Sequence, residues 1–322
     1  MIIRRRGALG AALLLPFGAA RAALPDRPLR LLLGFPPGSG PDVLARLLAD
    51  GLKEALPAGV VVENRPGAGG LIAAQEVAKA APTDGTTMLL GDVAQLAMAP
   101  STYARLPYDP ATDFAAVAEV ASADFAFVVP ESVPASDLAG YIAWGKTQPQ
   151  LYMGTFGAGT PGHFGAAMLG NAAGVKVEPV HFRATGDAMT AILSGAVQGM
   201  FGSIAVVLPQ VRAGKLKALA VTGPQRAAML PQVPTMAELG HAPLTISAWF
   251  GLVAPAAAPV AVLRAVEAEV LRAVATPALA SRLVETGFRV SSQGGAGFAT
   301  LMQRETARWA QVVRATGFRA IE

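Results

Sequence analysis

The pattern that most restricts what this chain can become occurs twice: an apolar run, a turn dense in glycine, then the start of a helix. The first copy is Leu31-Leu32-Leu33-Gly34-Phe35-Pro36-Pro37-Gly38-Ser39-Gly40-Pro41-Asp42. Leu29 and Leu31 to Leu33 read as a strand, and Gly34 to Gly40 follows neither helical nor strand period, so it reads as a turn. Ser39 is placed to cap a helix, Asp42 stands three residues on in capping-box spacing, and Pro41 falls in the first turn, where its missing amide costs nothing. Val43, Leu44, Leu47, Leu48 and Leu52 supply the helix's apolar stripe. The second copy has a strand at Leu151 to Met153, a turn over Gly154 to Gly162 and a helix from His163 to Asn171. Such a corner gathers free N–H groups and the positive end of a helix dipole at one point, which suits an anion. The same pattern also serves as a tight α/β turn with nothing bound.

Around the first corner the chain reads β-α-β-α-β, with further strands at Val60 to Glu63 and Thr87 to Leu90, a second glycine turn at Asn64 to Gly70, and Gly91-Asp92 closing the unit. Around the second corner the order repeats, with strands at Val177 to Phe182 and Val197 to Phe201, helices at Gly186 to Ser194 and ending over Pro209 to Ala213, and a strand at Leu216 to Val221. The two units share no detectable sequence repeat. Alternating strands and helices imply parallel sheets whose ligand edge is the C-terminal end of the strands. Ala115 to Val129 reads as a strand crossing from one unit to the other, and Thr245 to Val253 as the strand returning. Pro231 to Gly240 reads as a short helix, and the tail as helical, with one stripe of Val260, Leu263, Val266, Val270 and Leu271 and another of Phe298, Leu301, Met302, Trp309, Val312 and Val313, both expected to face the core. The expected fold class is therefore α/β, in two lobes, each a mostly parallel sheet flanked by helices. Lobe 1 takes residues 23–123 and 246–322, and lobe 2 takes residues 124–245.

Residues 1–22 read as a cleaved signal peptide: Arg4-Arg5-Arg6, an apolar stretch from Gly7 to Gly18, and the cleavage pattern Ala20-Arg21-Ala22. Four of the 26 basic residues lie there, and the other 22 balance 22 acids, so the remaining chain carries no nucleic-acid footprint. The sequence has no cysteine, which excludes disulfides, thiol catalysis and Cys-based metal sites. Gly251 to Leu263 is apolar but interrupted by Pro255 and Pro259, so no membrane span is expected. A soluble, exported, periplasmic monomer is the expectation.

Seven blocks together carry a resemblance. They are Gly34-Phe35-Pro36-Pro37-Gly38-Ser39-Gly40-Pro41-Asp42 with Ala45-Arg46; Val61-Val62-Glu63-Asn64-Arg65-Pro66-Gly67-Ala68-Gly69-Gly70; Leu106-Pro107-Tyr108-Asp109-Pro110 with Asp113-Phe114; Gly157-Ala158-Gly159-Thr160 with His163; Ala213-Gly214-Lys215-Leu216 with Ala218 to Thr222; Val233-Pro234-Thr235-Met236-Ala237-Glu238; and Trp249-Phe250-Gly251-Leu252. In order and spacing they resemble the solute-binding receptors of tripartite tricarboxylate transporters, the Bug or TctC-like family, over nearly the whole chain after the leader. The resemblance implies a type II periplasmic-binding-protein (Venus flytrap) fold. It further implies a carboxylate held by backbone amides and ordered water in the two glycine turns, and delivery to a permease of two integral-membrane subunits. Ser39 stands where the family usually has glycine. Gln198 and Gly202 stand where acids are usual, and Phe182-Arg183-Ala184 replaces the usual Tyr-Lys/Arg-Gly.

The candidate ligand-binding residues are Pro37, Gly38, Ser39, Gly40, Asp42 and Asp92 from the first unit, and Thr155, Phe156, Ala158, Gly159, Thr160, His163 and Gly202 from the second. No cofactor, metal or catalytic residue is expected. Asp42 reads as a helix-cap acid rather than a ligand contact. Asp92 reads as pointing away from a carboxylate, since facing one it would repel it; were it to line the cleft, a zwitterionic amino acid would fit. His163 is placed to donate to a carboxylate, while His181 and His241 show no metal or triad signature. Two other classes fit part of the pattern. Gly157-x-Gly159-x-x-Gly162 matches a dinucleotide fingerprint, although Glu178 follows too closely for the ribose acid, so an exported NAD-dependent enzyme is one alternative. The chain has no G-x-S-x-G element and Ser39 lacks an evident histidine partner, which argues against a serine hydrolase. The other alternative is a ligand sensor that closes on a carboxylate and docks to a signalling partner.

Overall fold

The computed structural model describes residues 24, 26–182, 184–319 and 321. The leader, the start at Ala23 and Arg183 lie outside the described residues. The first unit contains β1 (Leu29–Leu33), α1 (Gly40–Gly51), β2 (Val60–Asn64), α2 (Leu71–Ala78) and β3 (Thr87–Asp92). β3 leads into a helix that begins as a π-turn at Ala94–Met98 and continues as α3 (Ala99–Thr102), a segment that the sequence pattern does not reveal. There follow β4 (Phe114–Pro130), α4 (Leu138–Gly145), β5 (Leu151–Thr155), α5 (Pro161–Ala173), β6 (Val177–His181), α6 (Thr185–Leu193), β7 (Gly199–Ser203), α7 (Ile204–Arg212) and β8 (Leu216–Val221). β9 (Ser247–Pro255), α8 (Val260–Val274), α9 (Pro277–Glu285), β10 (Arg289–Gly294) and α10 (Gly295–Thr316) complete the chain.

The strands pair in the order β2-β1-β3-β9-β4-β7-β5-β6, with β8 and β10 also on β4. Both outer groups, β2-β1-β3 and β7-β5-β6, are parallel, as the alternating pattern requires. The middle is antiparallel, because β4 and β9 run in opposite directions between the two groups. β4 is the element that organises the sheet. Its residues up to Asp124 pair with β9 and β10, and its residues from Phe125 onward pair with β7 and β8. At that change of partner Thr222 ties the two crossing strands together. Its hydroxyl accepts Phe125 N–H (2.9 Å) and donates to Ile246 O (2.6 Å), while Ile246 N–H donates to Thr222 O (3.0 Å). Asp124 accepts Ser247 Oγ at 2.5 Å and pairs with Arg289 at 3.3 Å.

Two expectations require correction. Pro231 to Gly240 is a series of turns rather than a helix. Pro231 and Pro234 remove amides there, and Thr235 and Glu238 close a single turn by exchanging backbone N–H bonds of 2.7 and 3.0 Å. The tail is not wholly helical, since β10 lies between α9 and α10 on the edge of β4. Within the first stripe Leu263, Val266 and Val270 are buried, but Val260 is 63% exposed because it opens α8 directly after Pro259. In the second stripe Phe298, Leu301, Met302, Trp309 and Val313 are buried.

Candidate functional site: two glycine corners at the strand ends

The corners at the ends of β1 and β5 are built by the same bonds. In the first, Ser39 caps α1: its hydroxyl accepts Asp42 N–H (3.4 Å) and donates to Pro36 O (2.7 Å), and Ser39 O accepts Val43 N–H (3.0 Å). In the second, the Thr160 hydroxyl accepts His163 N–H (3.4 Å) and donates to Gly157 O (2.9 Å), and Thr160 O accepts Phe164 N–H (3.1 Å). Before each cap stands a glycine with positive φ, Gly38 at +77° and Gly159 at +72°. Each of these glycines donates its N–H to the side chain four residues on: Gly38 to Asp42 Oδ2 (2.9 Å), and Gly159 to His163 Nδ1 (3.1 Å). A capping box reaches back to the cap residue's own amide; here the reach is one residue longer. The two units therefore share a local repeat that only Gly-hydroxyl-x-x-acceptor betrays in the sequence.

Several backbone amides are left uncommitted by this bonding. Those of Gly40 in the first corner and of Gly157, Ala158 and Thr160 in the second make no hydrogen bond among the described residues. Gly40 and Ala158 are exposed, and Gly157 and Thr160 are half-buried. Pro37 and Gly38 are exposed at the tip of the first corner, with open space where a Gly38 side chain would project.

The remaining candidates sit deeper. Asp42 is buried and fully engaged, accepting from Gly38, from Arg46 Nε (3.0 Å) and from Asn64 Nδ2 (2.9 Å). Burial pushes its pKa up, but Arg46, Gly38 and Asn64 together outweigh burial and hold the carboxyl below its usual range. Asp92, at the end of β3, is buried and accepts Gln95 N–H (3.1 Å), capping the helix that follows; burial raises its pKa to about 6. Thr155 is buried, with Oγ1 2.5 Å from His181 Nδ1. His163 stacks on Phe164 and meets His181 edge-on at 4.8 Å; burial, then the neighbouring His181, lowers its pKa to about 4. Phe156 is half-buried. Gly202 is buried in β7, where a Cβ would come 2.4 Å from Val207.

Contacts from elsewhere in the chain bring the two corners' surroundings together, and no sequence pattern announces them. A Cβ on Gly159 would touch Thr102 (3.4 Å) and Ile321 (3.5 Å). Ile321 exchanges backbone bonds with Thr102 and Ala104, and the Tyr103 hydroxyl between them bonds Ala68 O (3.4 Å) in the Asn64–Gly70 turn. On the other flank, a Cβ on Gly40 would lie 3.7 Å from Phe288, and one on Gly287 would meet Ala205 at the start of α7 at 2.7 Å. A cavity of about 210 Å³ opens here between the two halves of the sheet, lined among others by Asp124, Ile204, Arg226, Phe288 and Arg289. Gln95 is the other residue missed. It is wholly buried under Gly34 and Gly70, and neither atom of its amide has a partner. The helix that carries Gln95 has no apolar period of its own, and the Asp directly after the β3 run, a residue type that caps helices, is the one feature of the sequence that points to its start.

The profile of a family described as "Tripartite tricarboxylate transporter family receptor", TctC, matches residues 44–318. The chain belongs to the TctC family. The match begins two residues after Asp42, so the first corner lies just upstream of it. TctC-family and related structures resemble this one over nearly their whole length. R. palustris Rpa4515 with adipate is 28% identical, with a TM-score of 0.82 over 92% of this chain and 99% of that one. MatC (Rpa3494) from Rhodopseudomonas palustris with bound malate is 30% identical, with a TM-score of 0.79 over 90% and 100%. The periplasmic binding protein BugD is 28% identical, with a TM-score of 0.80 over 92% and 100%. The two-lobed α/β architecture is that of these periplasmic binding proteins, and the TctC family and its structural neighbours are binding proteins, not enzymes. The glycine fingerprint of the second corner is accordingly part of a binding-protein fold. Among the described residues no helix is long and apolar enough to cross a membrane, and no cluster of three His, Asp or Glu could hold a metal ion.

Proposed function

We propose that this TctC-family protein is an exported periplasmic receptor. It captures a small organic carboxylate between its two lobes as a single chain and delivers it to the permease subunits of a tripartite tricarboxylate-type transporter. The proposed lobes take residues 23–123 with 246–322 and residues 124–245; the change of β4's partners between Asp124 and Phe125, and the bonds of Thr222 to Phe125 and Ile246, support that division. The observation that carries this reading is the set of uncommitted amides of Gly40, Gly157, Ala158 and Thr160 at two helix N-termini, one from each half of the sheet.

Fixed amide dipoles suit a carboxylate because no pH change removes them. Each hydrogen bond to a charged group contributes about 1.5–3 kcal/mol. Four such bonds reach the roughly −8 kcal/mol of a micromolar receptor before the cost of immobilising the ligand, so no buried lysine is required. The ligands named for Rpa4515 and MatC, adipate and malate, support the carboxylate class. Asp92 accepts the Gln95 backbone N–H, which supports a carboxylate over a zwitterion. Calorimetric titration with adipate, malate, succinate, citrate, aspartate and benzoate tests the reading. At least one should bind at micromolar affinity and raise the thermal midpoint; silence from all six overturns it.

A further inference from the structure

We infer that His163 is a positioning residue of the α5 corner, holding the Gly159 amide on its Nδ1 lone pair and taking up a proton when a carboxylate settles there. The inference deepens the receptor reading and rests on it.

A ring nitrogen that accepts an N–H at 3.1 Å carries no hydrogen of its own, so the ring is neutral with its proton on Nε2. Protonating Nδ1 sets donor against donor, breaks the bond and releases the Gly159 amide to join those of Gly157, Ala158 and Thr160. In the unliganded corner this step is opposed from several sides. The ring is packed between Phe164 and Phe318, neither of them charged, and against His181 of β6. The positive end of the α5 dipole lies beneath it. Burial and His181 already hold its pKa near 4, and the nearby acid, Glu178 on β6, acts on His181. An anion at the corner supplies the missing negative charge. Because coupling is reciprocal, whatever the carboxylate adds to proton affinity the proton adds to carboxylate affinity. The α1 corner has no such step near neutral pH, since its acceptor, Asp42, is a carboxylate held below its usual range.

Two measurements on the full chain test this. Histidine side-chain ¹⁵N NMR should show one ring with protonated Nε2 and bare Nδ1 at pH 7, its signal lost in His163→Asn. Calorimetric titrations with adipate and with malate, in two buffers of different ionisation heat at pH 6, should show proton uptake by the wild type. His163→Asn, whose amide oxygen can still accept the Gly159 N–H, should still bind at pH 8 and take up no proton at pH 6. Between pH 8 and pH 5 the ratio of wild-type to variant affinity should grow at least about fivefold, and the ligand's own protonation cancels in that ratio. His163→Leu, which neither holds the Gly159 amide nor takes up a proton, should take up no proton on binding and keep an affinity ratio to His163→Asn that does not change between pH 8 and pH 5. An Nδ1–H tautomer, or identical pH profiles for wild type and Asn variant, overturns the inference while leaving the receptor reading intact. If neither dicarboxylate gives heat, the coupling falls, and the six-acid titration decides the receptor reading separately.

Discussion

The α1 and α5 corners make the same bonds around the same cap and differ in what receives the glycine amide. In α1 the acceptor is a buried carboxylate, anchored by Arg46 and Asn64; in α5 it is a neutral imidazole touching aromatic rings and a second histidine. The first corner is therefore electrostatically closed, with its negative charge matched inside the protein. The second has no fixed negative charge bonded to it, and it supplies the amides of Gly157, Ala158 and Thr160 where the helix start of the first supplies that of Gly40. A geometry shared by two lobes thus need not imply an equal share in holding an anion: α1 is built to stay put, and α5 to respond.

The floor beneath the corners should show the largest difference. At Gly70, whose φ is +90°, a Cβ would lie 1.8 Å from Gln95 Nε2, whereas at Gly159 it would meet Thr102 at 3.4 Å. Both positions impose the left-handed backbone cost, but only Gly70 adds a clash with a fully buried neighbour. Gly70→Ala should lose about 3–5 kcal/mol and Gly159→Ala about 1–2 kcal/mol in urea unfolding. Equal losses would mean that the first corner's floor yields as easily as the second's contacts.

Asp42→Ala comes next. It removes the acceptor of the Gly38 amide, of one hydrogen of Asn64 Nδ2 and of Arg46 Nε, and should cost about 1–3 kcal/mol at pH 7. The pH dependence follows from the lowered carboxyl pKa: the contribution is complete above the unfolded value of 3.8 and is lost as pH falls through the folded one. Wild type and variant should therefore converge in acid, and a gap that persists at pH 2 would remove the charge from the account.

Asp92 has the opposite sign. It is buried with backbone amides as its partners, and its pKa rises to about 6. Its neutral form is the one the fold prefers. Its favourable contribution is thus present below the unfolded value of 3.8 and is lost as pH rises through 6. Asp92→Asn should raise stability at pH 8 by about 1–3 kcal/mol and change little at pH 4. An Asn variant less stable at pH 8 would show that the charge of Asp92 is compensated by a partner, as that of Asp42 is by Arg46.

The strands and helices around both corners were legible because each rests on local signals: apolar runs, a hydroxyl cap, a proline in the first helical turn. The crossing at Ala115 to Val129 was legible for the same reason, being one long apolar run ended by Pro130. What was not legible depends on pairing across the chain. β10 reads as a polar segment, Arg289-Val290-Ser291-Ser292-Gln293, and is a strand only because β4 offers it an edge. Ile321 reaches the second corner only because Thr102 and Ala104 bond to it. The corners' strand-turn-helix pattern is legible twice, but their shared bond from a glycine amide to the side chain four residues on is not, because an acid and an imidazole do not look alike in sequence, yet each can accept one N–H.

The smallest effect tests whether the shared part of the corners is as equal as its bonds. Ser39 and Thr160 each accept one helix amide and each donate to the carbonyl three residues earlier. Ser39→Ala and Thr160→Ala should therefore cost alike, about 1 kcal/mol each, in urea unfolding without ligand. Ser39→Gly should cost only a few tenths of a kcal/mol, about the usual penalty for glycine at a cap. Ser39 is half-buried beside an exposed tip, so its hydroxyl serves the fold without being needed by it. If Ser39→Gly weakens carboxylate binding tenfold while leaving stability in place, the hydroxyl belongs to the ligand as well as to the helix, and the α1 corner is less closed than its bonds describe.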